Sequence, residues 1–172
     1  MLIRFNDQEF AKCVACRNEQ AMNIKKYNQQ AKGWVADKEN NVPETSLRAI
    51  MSEYAASKYF NIPYNFDTLY DANRTDLING CQVKSSKHQR GHLIIKSYNP
   101  KGRYIDSFAS IEMRLVYLRG WYDYNDDSIE QYRGHEFARY NQDDYWIPDS
   151  DLMPMHILKA QLASWVLVLK TM

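Results

Sequence analysis

The fold is decided around residues 75–86, TDLINGCQVKSS, where two short apolar-rich segments are joined by Asn79-Gly80. Asn-Gly between two strand-like segments is a strong hairpin signal, because both residues accept the positive φ angles of a tight turn. The sequence therefore predicts a β-hairpin at this point, with an acidic residue on one side and a lysine on the other.

The length of the loop decides which side chains share a face of that hairpin. A loop of two residues pairs Asp76 with Val83 and separates it from Gln82. A three-residue loop that begins at Ile78, with its glycine left-handed as a bulge, pairs Asp76 with Gln82 instead. Lys84 then follows two residues along on the same face. The sequence leaves both registers open.

The second register would assemble a specific chemistry. The Asp76 carboxylate, the Gln82 amide oxygen and the Val83 carbonyl are hard oxygen ligands suited to Mg²⁺ or Mn²⁺. Such an ion binds a scissile phosphate and lowers the pKa of a bound water. Lys84 can orient that nucleophile and offset developing negative charge. Because Gln adds no charge, a further acid is expected, and Glu53 on the preceding helix is the best candidate.

Apolar periodicity outside the hairpin predicts helices first and strands afterwards. The expected helices cover residues 7–30 and 44–59, the second with a buried stripe and an end at Pro63. The expected strands are short, at residues 68–70, 75–78, 81–85, 92–97, 114–118 and 145–147, and the tail from Met155 is compatible with helix or strand. This order predicts an α/β domain with a central mixed β-sheet flanked by helices.

Charge is distributed unevenly, although the formal net charge is only +1. From Lys84 to Arg103 there is no Asp or Glu, and the acids cluster after residue 122. A basic face near the middle of the chain is expected to lie against the phosphate backbone of DNA and to bind it in a salt-sensitive way. The residues predicted to bind DNA are Lys87, His88, Arg90, Lys96, Lys101 and Arg103.

Composition and termini predict a cytoplasmic protein without a membrane segment. Three cysteines, an odd number, fit a reducing compartment better than a disulfide framework. The first residues, MLIRFNDQEF, lack the apolar stretch of a signal peptide, and the apolar run at 165–169 is far too short to span a bilayer.

In its order of Glu53, Asp76 and Gln82-Val83-Lys84, the chain resembles the PD-(D/E)XK, or restriction-endonuclease-like, nuclease superfamily. Gln in place of the acid is similar to the variant found in Mrr-type restriction enzymes, some transposon-end nucleases and a cyanobacterial intron homing endonuclease. Residues 117–121, YLRGW, and 145–148, YWIP, look like segments of small phage-encoded nucleases of the superfamily, which implies a host cytoplasm.

The resemblance implies a restriction-endonuclease-like core that hydrolyses DNA phosphodiesters with Mg²⁺ or Mn²⁺. Glu53, Asp76, Gln82 and Lys84 would be catalytic, with the two acids, Gln82 and the Val83 carbonyl around the metal. Residues 1–43 would form an N-terminal helix and loop, 44–148 the catalytic core, and 149–172 a packing or oligomerisation segment of this single domain. Many members of the superfamily cut both strands as dimers or tetramers, so self-association is also expected.

Several alternatives remain open from the sequence. Asp71 is also at a tolerable spacing from Gln82 and could replace Asp76. A junction resolvase, another structure-selective nuclease or an exonuclease would carry the same residues. A catalytically inactive DNA-binding or assembly protein on the same fold is the alternative from another class, and the Gln substitution gives it weight.

Overall fold

The computed structural model describes residues 1–28, 42–66, 76–77, 80–134 and 143–170. Within them, an α/β arrangement contains a four-stranded mixed sheet and three helices, which confirms the predicted α/β class with a mixed sheet. The helices are α1 (Asp7–Asn28), α2 (Val42–Phe60) and α3 (Met155–Lys170). The strands are β1 (Leu2–Arg4), β2 (Cys81–Ser86), β3 (His92–Ile95), β4 (Arg103–Ser110), β5 (Leu115–Asp123) and β6 (Tyr145–Pro148). Short 3₁₀ turns lie at Asp127–Tyr132 and Asp149–Asp151.

Helix α1 begins with a reciprocal cap. The Glu9 backbone N–H donates to Asn6 Oδ1 at 2.9 Å, and the Asn6 N–H donates to Glu9 Oε2 at 3.0 Å. Two otherwise unpaired donors are thereby satisfied. Cys13 and Cys16 on this helix are buried in the core, and the Cys16 thiol donates to the Phe66 carbonyl at 3.2 Å.

Helix α2 ends at Phe60, before Pro63, where the sequence predicted that proline would end it. Asn61 adopts a left-handed φ of 57°, and the Ile62 N–H donates back to the Ser57 carbonyl at 3.0 Å. This Schellman closure satisfies carbonyls of the last turn before proline is reached. The predicted apolar stripe is confirmed in its buried members, Leu47, Ile50, Met51 and Ala55.

The strand order in the main sheet is β1-β5-β4-β2. Strands β1 and β4 both run antiparallel to β5, whereas β2 runs parallel to β4, which makes the sheet mixed. Residues Gln82 and Lys84 of β2 lie in register with Tyr104 and Asp106 of β4. Strand β2 is the last one at its edge among the described residues.

The two faces of the main sheet are covered differently. All three helices pack on one face, where the buried residues of the first core include Met51, Val83, Ile105 and Leu158. A second cluster, rich in tyrosine, includes residues of β4 and β5 together with the small antiparallel sheet of β3 and β6. The prediction of a sheet flanked by helices therefore holds for one face only in the described part of the chain.

Strand β4 was not predicted, and β5 is longer than the predicted 114–118. From Tyr104 to Ala109 every residue of β4 is buried, so the strand has no alternation of apolar and polar residues that a sequence pattern could reveal. In β5, Gly120 pairs with Asp106 but Leu118 pairs with Ser107, which makes Arg119 an extra, bulged residue.

Several sequence predictions can now be placed. The tail from Met155 is helix. Asp76 and Leu77 form a bend rather than part of a strand, while the strand predicted at 68–70, the alternative acid Asp71, and Ile78-Asn79 of the turn lie outside the described residues. No helix in the described ranges combines the length and apolar character needed to cross a bilayer.

Candidate active site

The hydrogen bonds of the described residues fit the three-residue-loop register of the predicted hairpin. The Leu77 N–H donates to the Cys81 carbonyl at 3.1 Å, and the Gly80 N–H donates to the Leu77 carbonyl at 3.0 Å. Gly80 has a φ of 80°, the left-handed conformation required of a bulge glycine. Leu77 and Cys81 are therefore paired as the three-residue loop requires, and the Asp76 side chain contacts the backbone of Val83.

Asp76 is fixed against β2 by a backbone donor. Its Oδ2 accepts a hydrogen bond from the Val83 N–H at 2.6 Å. Burial raises the pKa of the Asp76 carboxyl, and the Val83 hydrogen bond and the positive charge of Lys84 oppose that rise. This acid is therefore held at the edge of the sheet, close enough to Lys84 for their charges to interact.

Glu53 approaches the same place from α2. Its Oε2 accepts a hydrogen bond from the Tyr64 hydroxyl at 2.8 Å. Burial, followed by the negative charge of Asp76, raises the pKa of Glu53 to about 7, although the Tyr64 hydrogen bond and Lys84 act in the opposite direction. The two acids are thus neighbours whose charges repel each other.

Lys84 completes this group. Its Nζ lies 5.5 Å from the centroid of the Tyr104 ring, on the face of β2 opposite to the buried Val83. Lys84 favours the charged form of both acids. The structure therefore brings Glu53, Asp76 and Lys84 together, although they come from a helix, a bend and a strand.

Gln82 shares the face of Lys84 but is less closely tied to the acids. It is half-buried, and no side-chain hydrogen bond joins it to Glu53, Asp76 or Lys84 in the described part of the chain. Among the described residues, no group of three or more His, Cys, Asp or Glu is placed to hold a metal ion. The roles of Gln82 and of the Val83 carbonyl as ligands therefore stay predictions.

The basic stretch is partly neutralised within the protein. Lys96 Nζ lies 2.6 Å from Oδ2 of the fully buried Asp144. Lys101 donates to the Tyr124 carbonyl at 3.1 Å and lies 3.8 Å from the centroid of that ring. Arg103 stands opposite Asp123 in the β4–β5 ladder. Residues 84–103 contain no acid, but the fold brings Asp144 to Lys96 and sets Asp123 opposite Arg103.

The remaining predicted DNA-binding residues lie together on loop 87–90, directly after β2. Lys87, His88 and Arg90 are all exposed there. Since β2 carries Lys84, these side chains follow the candidate reaction centre along the same chain. Loop 87–90 is thus the part of the basic stretch best placed to meet a polyanion.

The sequence reasoning missed three residues that shape the candidate site or its surroundings. Tyr64 donates to Glu53, and no spacing or motif signalled that contact. Asp106 and Arg119 form a buried ion pair with an Nε–Oδ2 distance of 2.7 Å. Asp106 was hidden in the unpredicted β4, whereas Arg119 stood in the quoted YLRGW segment without a partner that could be named.

Comparison with known proteins adds no relative. No family model matches the chain, and no curated protein or solved structure matches it significantly. The functional assignment therefore depends on the geometry and electrostatics of the site.

Proposed function

We propose that this protein is a metal-dependent DNA endonuclease that hydrolyses phosphodiester bonds. One observation carries the proposal: Glu53 and Asp76, two half-buried and mutually repelling carboxylates, lie beside Lys84 at the edge of the sheet. Perturbed acids next to a specific charged partner are typical of functional sites. The helix acid, the hairpin and the Gln-x-Lys strand also support assignment to a restriction-endonuclease-like core.

The side chains at this site carry the oxygen donors that bind a divalent cation. Burial and the charge of Asp76 raise the pKa of Glu53, and a bound cation would relieve this repulsion. Glu53 and Asp76 would hold Mg²⁺ or Mn²⁺, with the Gln82 amide oxygen and the Val83 carbonyl as further oxygen ligands. When bound, such an ion supplies charge neutralisation at the scissile phosphate and a more acidic water.

The protein's own groups would orient the reaction. The Val83 N–H and the Tyr64 hydroxyl each fix one oxygen of a carboxylate, which directs Asp76 and Glu53 before substrate binds. Lys84 offers an ammonium group at the same place, where it would hold the attacking water and stabilise negative charge on the phosphate. Loop 87–90 would bind the DNA backbone, and self-association as a dimer or tetramer would allow both strands to be cut.

The deciding experiment is cleavage of supercoiled and linear DNA with Mg²⁺ or Mn²⁺. We expect the wild type to cleave only with metal, and Lys84→Ala to lose activity by about 100-fold or more, as when a single group that stabilises transition-state charge is removed. Lys12→Ala, which removes an exposed lysine from α1, is the matched control and should cleave like the wild type.

The products and the metal affinity separate the alternatives. Nicked or linear circles indicate an endonuclease, degradation of linear DNA alone indicates an exonuclease, and preference for branched DNA indicates a junction resolvase. Absence of cleavage by a folded wild type that also fails to bind Mn²⁺ would favour an inactive DNA-binding or assembly protein. Activity that survives in Lys84→Ala would show that the reaction centre lies elsewhere.

A further inference from the structure

The β-bulge at Arg119 interrupts the regular alternation of side chains along β5. Leu118 and Trp121 both belong to the core under the helices, although their positions in the sequence differ in parity. The extra residue at Arg119 resolves that mismatch. A Cβ on the next residue, Gly120, would lie 2.6 Å from the Leu152 Cβ, so only glycine permits this close approach of the chain. The bulge is therefore fixed by packing on both sides.

Arg119 is held by a buried carboxylate on the neighbouring strand. Its Nη2 donates to Asp106 Oδ1 at 2.8 Å, and its Nε lies 2.7 Å from Asp106 Oδ2. Both side chains are only 3% exposed. Asp106 is in register with Lys84 on β2, so the guanidinium is anchored one strand away from the candidate reaction centre.

The same guanidinium also reaches loop 87–90. Nη1 of Arg119 donates to the carbonyls of His88, at 3.3 Å, and Gln89, at 3.5 Å. The carbonyls of His88 and Gln89 thus face the Arg119 guanidinium. The side chains of Lys87 and Arg90 are exposed. An exposed loop backbone is usually mobile. The hydrogen bonds from Arg119 restrain the backbone of loop 87–90.

We propose that Arg119 is a positioning residue that fixes loop 87–90 as a binding element for the DNA phosphate backbone beside Lys84. This inference rests on the proposed nuclease function. A loop that is ordered before DNA arrives loses less conformational entropy on binding. Arg119 therefore acts on substrate affinity through the loop, whereas Lys84 acts on the chemical step.

The test uses Arg119→Lys, which keeps the positive charge for Asp106 but loses the fork that reaches two carbonyls. We expect KM for linear duplex DNA to rise by about five- to tenfold, as expected for losing backbone contacts, while kcat stays within about twofold. Arg114→Lys is the matched control, because the Arg114 guanidinium pairs with Asp7 and stacks on the Phe10 ring at the surface, with no hydrogen bond or ion pair to loop 87–90 in the described part of the chain. If Arg119→Lys does not fold, Arg119→Gln retains an amide donor for Asp106 and takes its place.

A double-variant comparison shows whether Arg119 acts through the loop. Lys87→Ala combined with Arg90→Ala should raise KM at least as much as Arg119→Lys. Adding Arg119→Lys to this loop variant should raise KM no further, since the cations that Arg119 positions are already absent. Effects that multiply, or a fall in kcat at unchanged KM, would overturn the inference and leave the nuclease function intact. A folded wild type that neither binds nor cleaves DNA would overturn both.

Discussion

Glu53 and Asp106 are both carboxylates set close to β2, but their neighbours differ in sign. Asp106 is 2% exposed and forms an ion pair with Arg119. Glu53 lies instead beside a second acid, and burial together with the charge of Asp76 raises its pKa to about 7. Arg119 therefore compensates the negative charge of Asp106. Among the described residues, the charge of Glu53 is only partly compensated, by Lys84.

This difference separates a structural role from a functional one. Burying a charge is costly unless a partner and hydrogen bonds offset the lost hydration. Asp106 has that partner, so its position contributes to the arrangement of β2, β4 and β5. Among the described residues, Lys84 is the cation that opposes the two acids Glu53 and Asp76, and a divalent cation would complete the balance. The contrast can be broken at either carboxylate.

The largest effect is expected when Asp106 loses its partner. Arg119→Met keeps much of the side-chain volume but leaves a buried carboxylate without a cation. We expect the free energy of unfolding to fall by about 3–5 kcal/mol, the usual cost of breaking a buried ion pair from one side. Urea denaturation followed by circular dichroism measures this change.

Arg114→Met provides the comparison for that experiment. It removes an arginine from a surface ion pair, and such pairs contribute about 1 kcal/mol or less. If both variants lost equally little stability, the Asp106–Arg119 pair would not be the structural element that its burial indicates.

Removing the charge of Glu53 is expected to raise the free energy of unfolding instead of lowering it. Its pKa is raised from 4.5 to about 7 in the folded protein, so the folded state binds the proton more tightly than the unfolded state. This group therefore lowers stability as the pH rises from about 4.5 to 7 and costs its full amount above 7. At about 1.4 kcal/mol for each pKa unit, the penalty reaches about 3 kcal/mol.

Glu53→Gln removes that penalty, because Gln resembles the protonated acid at every pH. We expect its stability to match the wild type near pH 4 and to exceed it by about 3 kcal/mol at pH 8 in urea titrations without metal. Glu112→Gln, at an exposed position, should show no such growing difference. A constant difference between Glu53→Gln and wild type across this range would contradict the uncompensated charge.

The sequence predicted the parts of this contrast that depend on local chemistry. Asn79-Gly80 indicated a turn, and the left-handed Gly80 and the pairing of Leu77 with Cys81 fit the three-residue loop. Glu53 was named from its helix alone. Local spacing could not give the distances between segments, so Tyr64 as the partner of Glu53 was missed.

Long-range pairing limited the rest of the prediction. Strand β4 is buried along both faces and contains Asp106, so it lacks the alternating pattern by which strands are recognised. Asp144 approaches Lys96 from 48 residues away in sequence, so the basic stretch was predicted to be more uniform than it is. The sequence shows which charged residues are present, whereas the tertiary contacts determine which of them already form ion pairs.

The two lysines of the basic stretch extend the contrast to cations, with the smallest expected effects. Lys96 is paired with the buried Asp144, while Lys87 is exposed on loop 87–90. We expect Lys87→Met to lower the slope of log K against log salt for DNA binding by about one and to leave stability unchanged. Lys96→Met should instead cost about 1.5–3 kcal/mol of stability, because the buried Asp144 carboxylate loses a charged partner and keeps only the Ser97 N–H among the described residues, and it should leave the slope unchanged. Fluorescence anisotropy with labelled duplex DNA at several salt concentrations measures the slopes. Equal slopes for both variants would mean that pairing with Asp144 does not withdraw Lys96 from the DNA-binding surface, and that exposure alone does not identify the residues that bind.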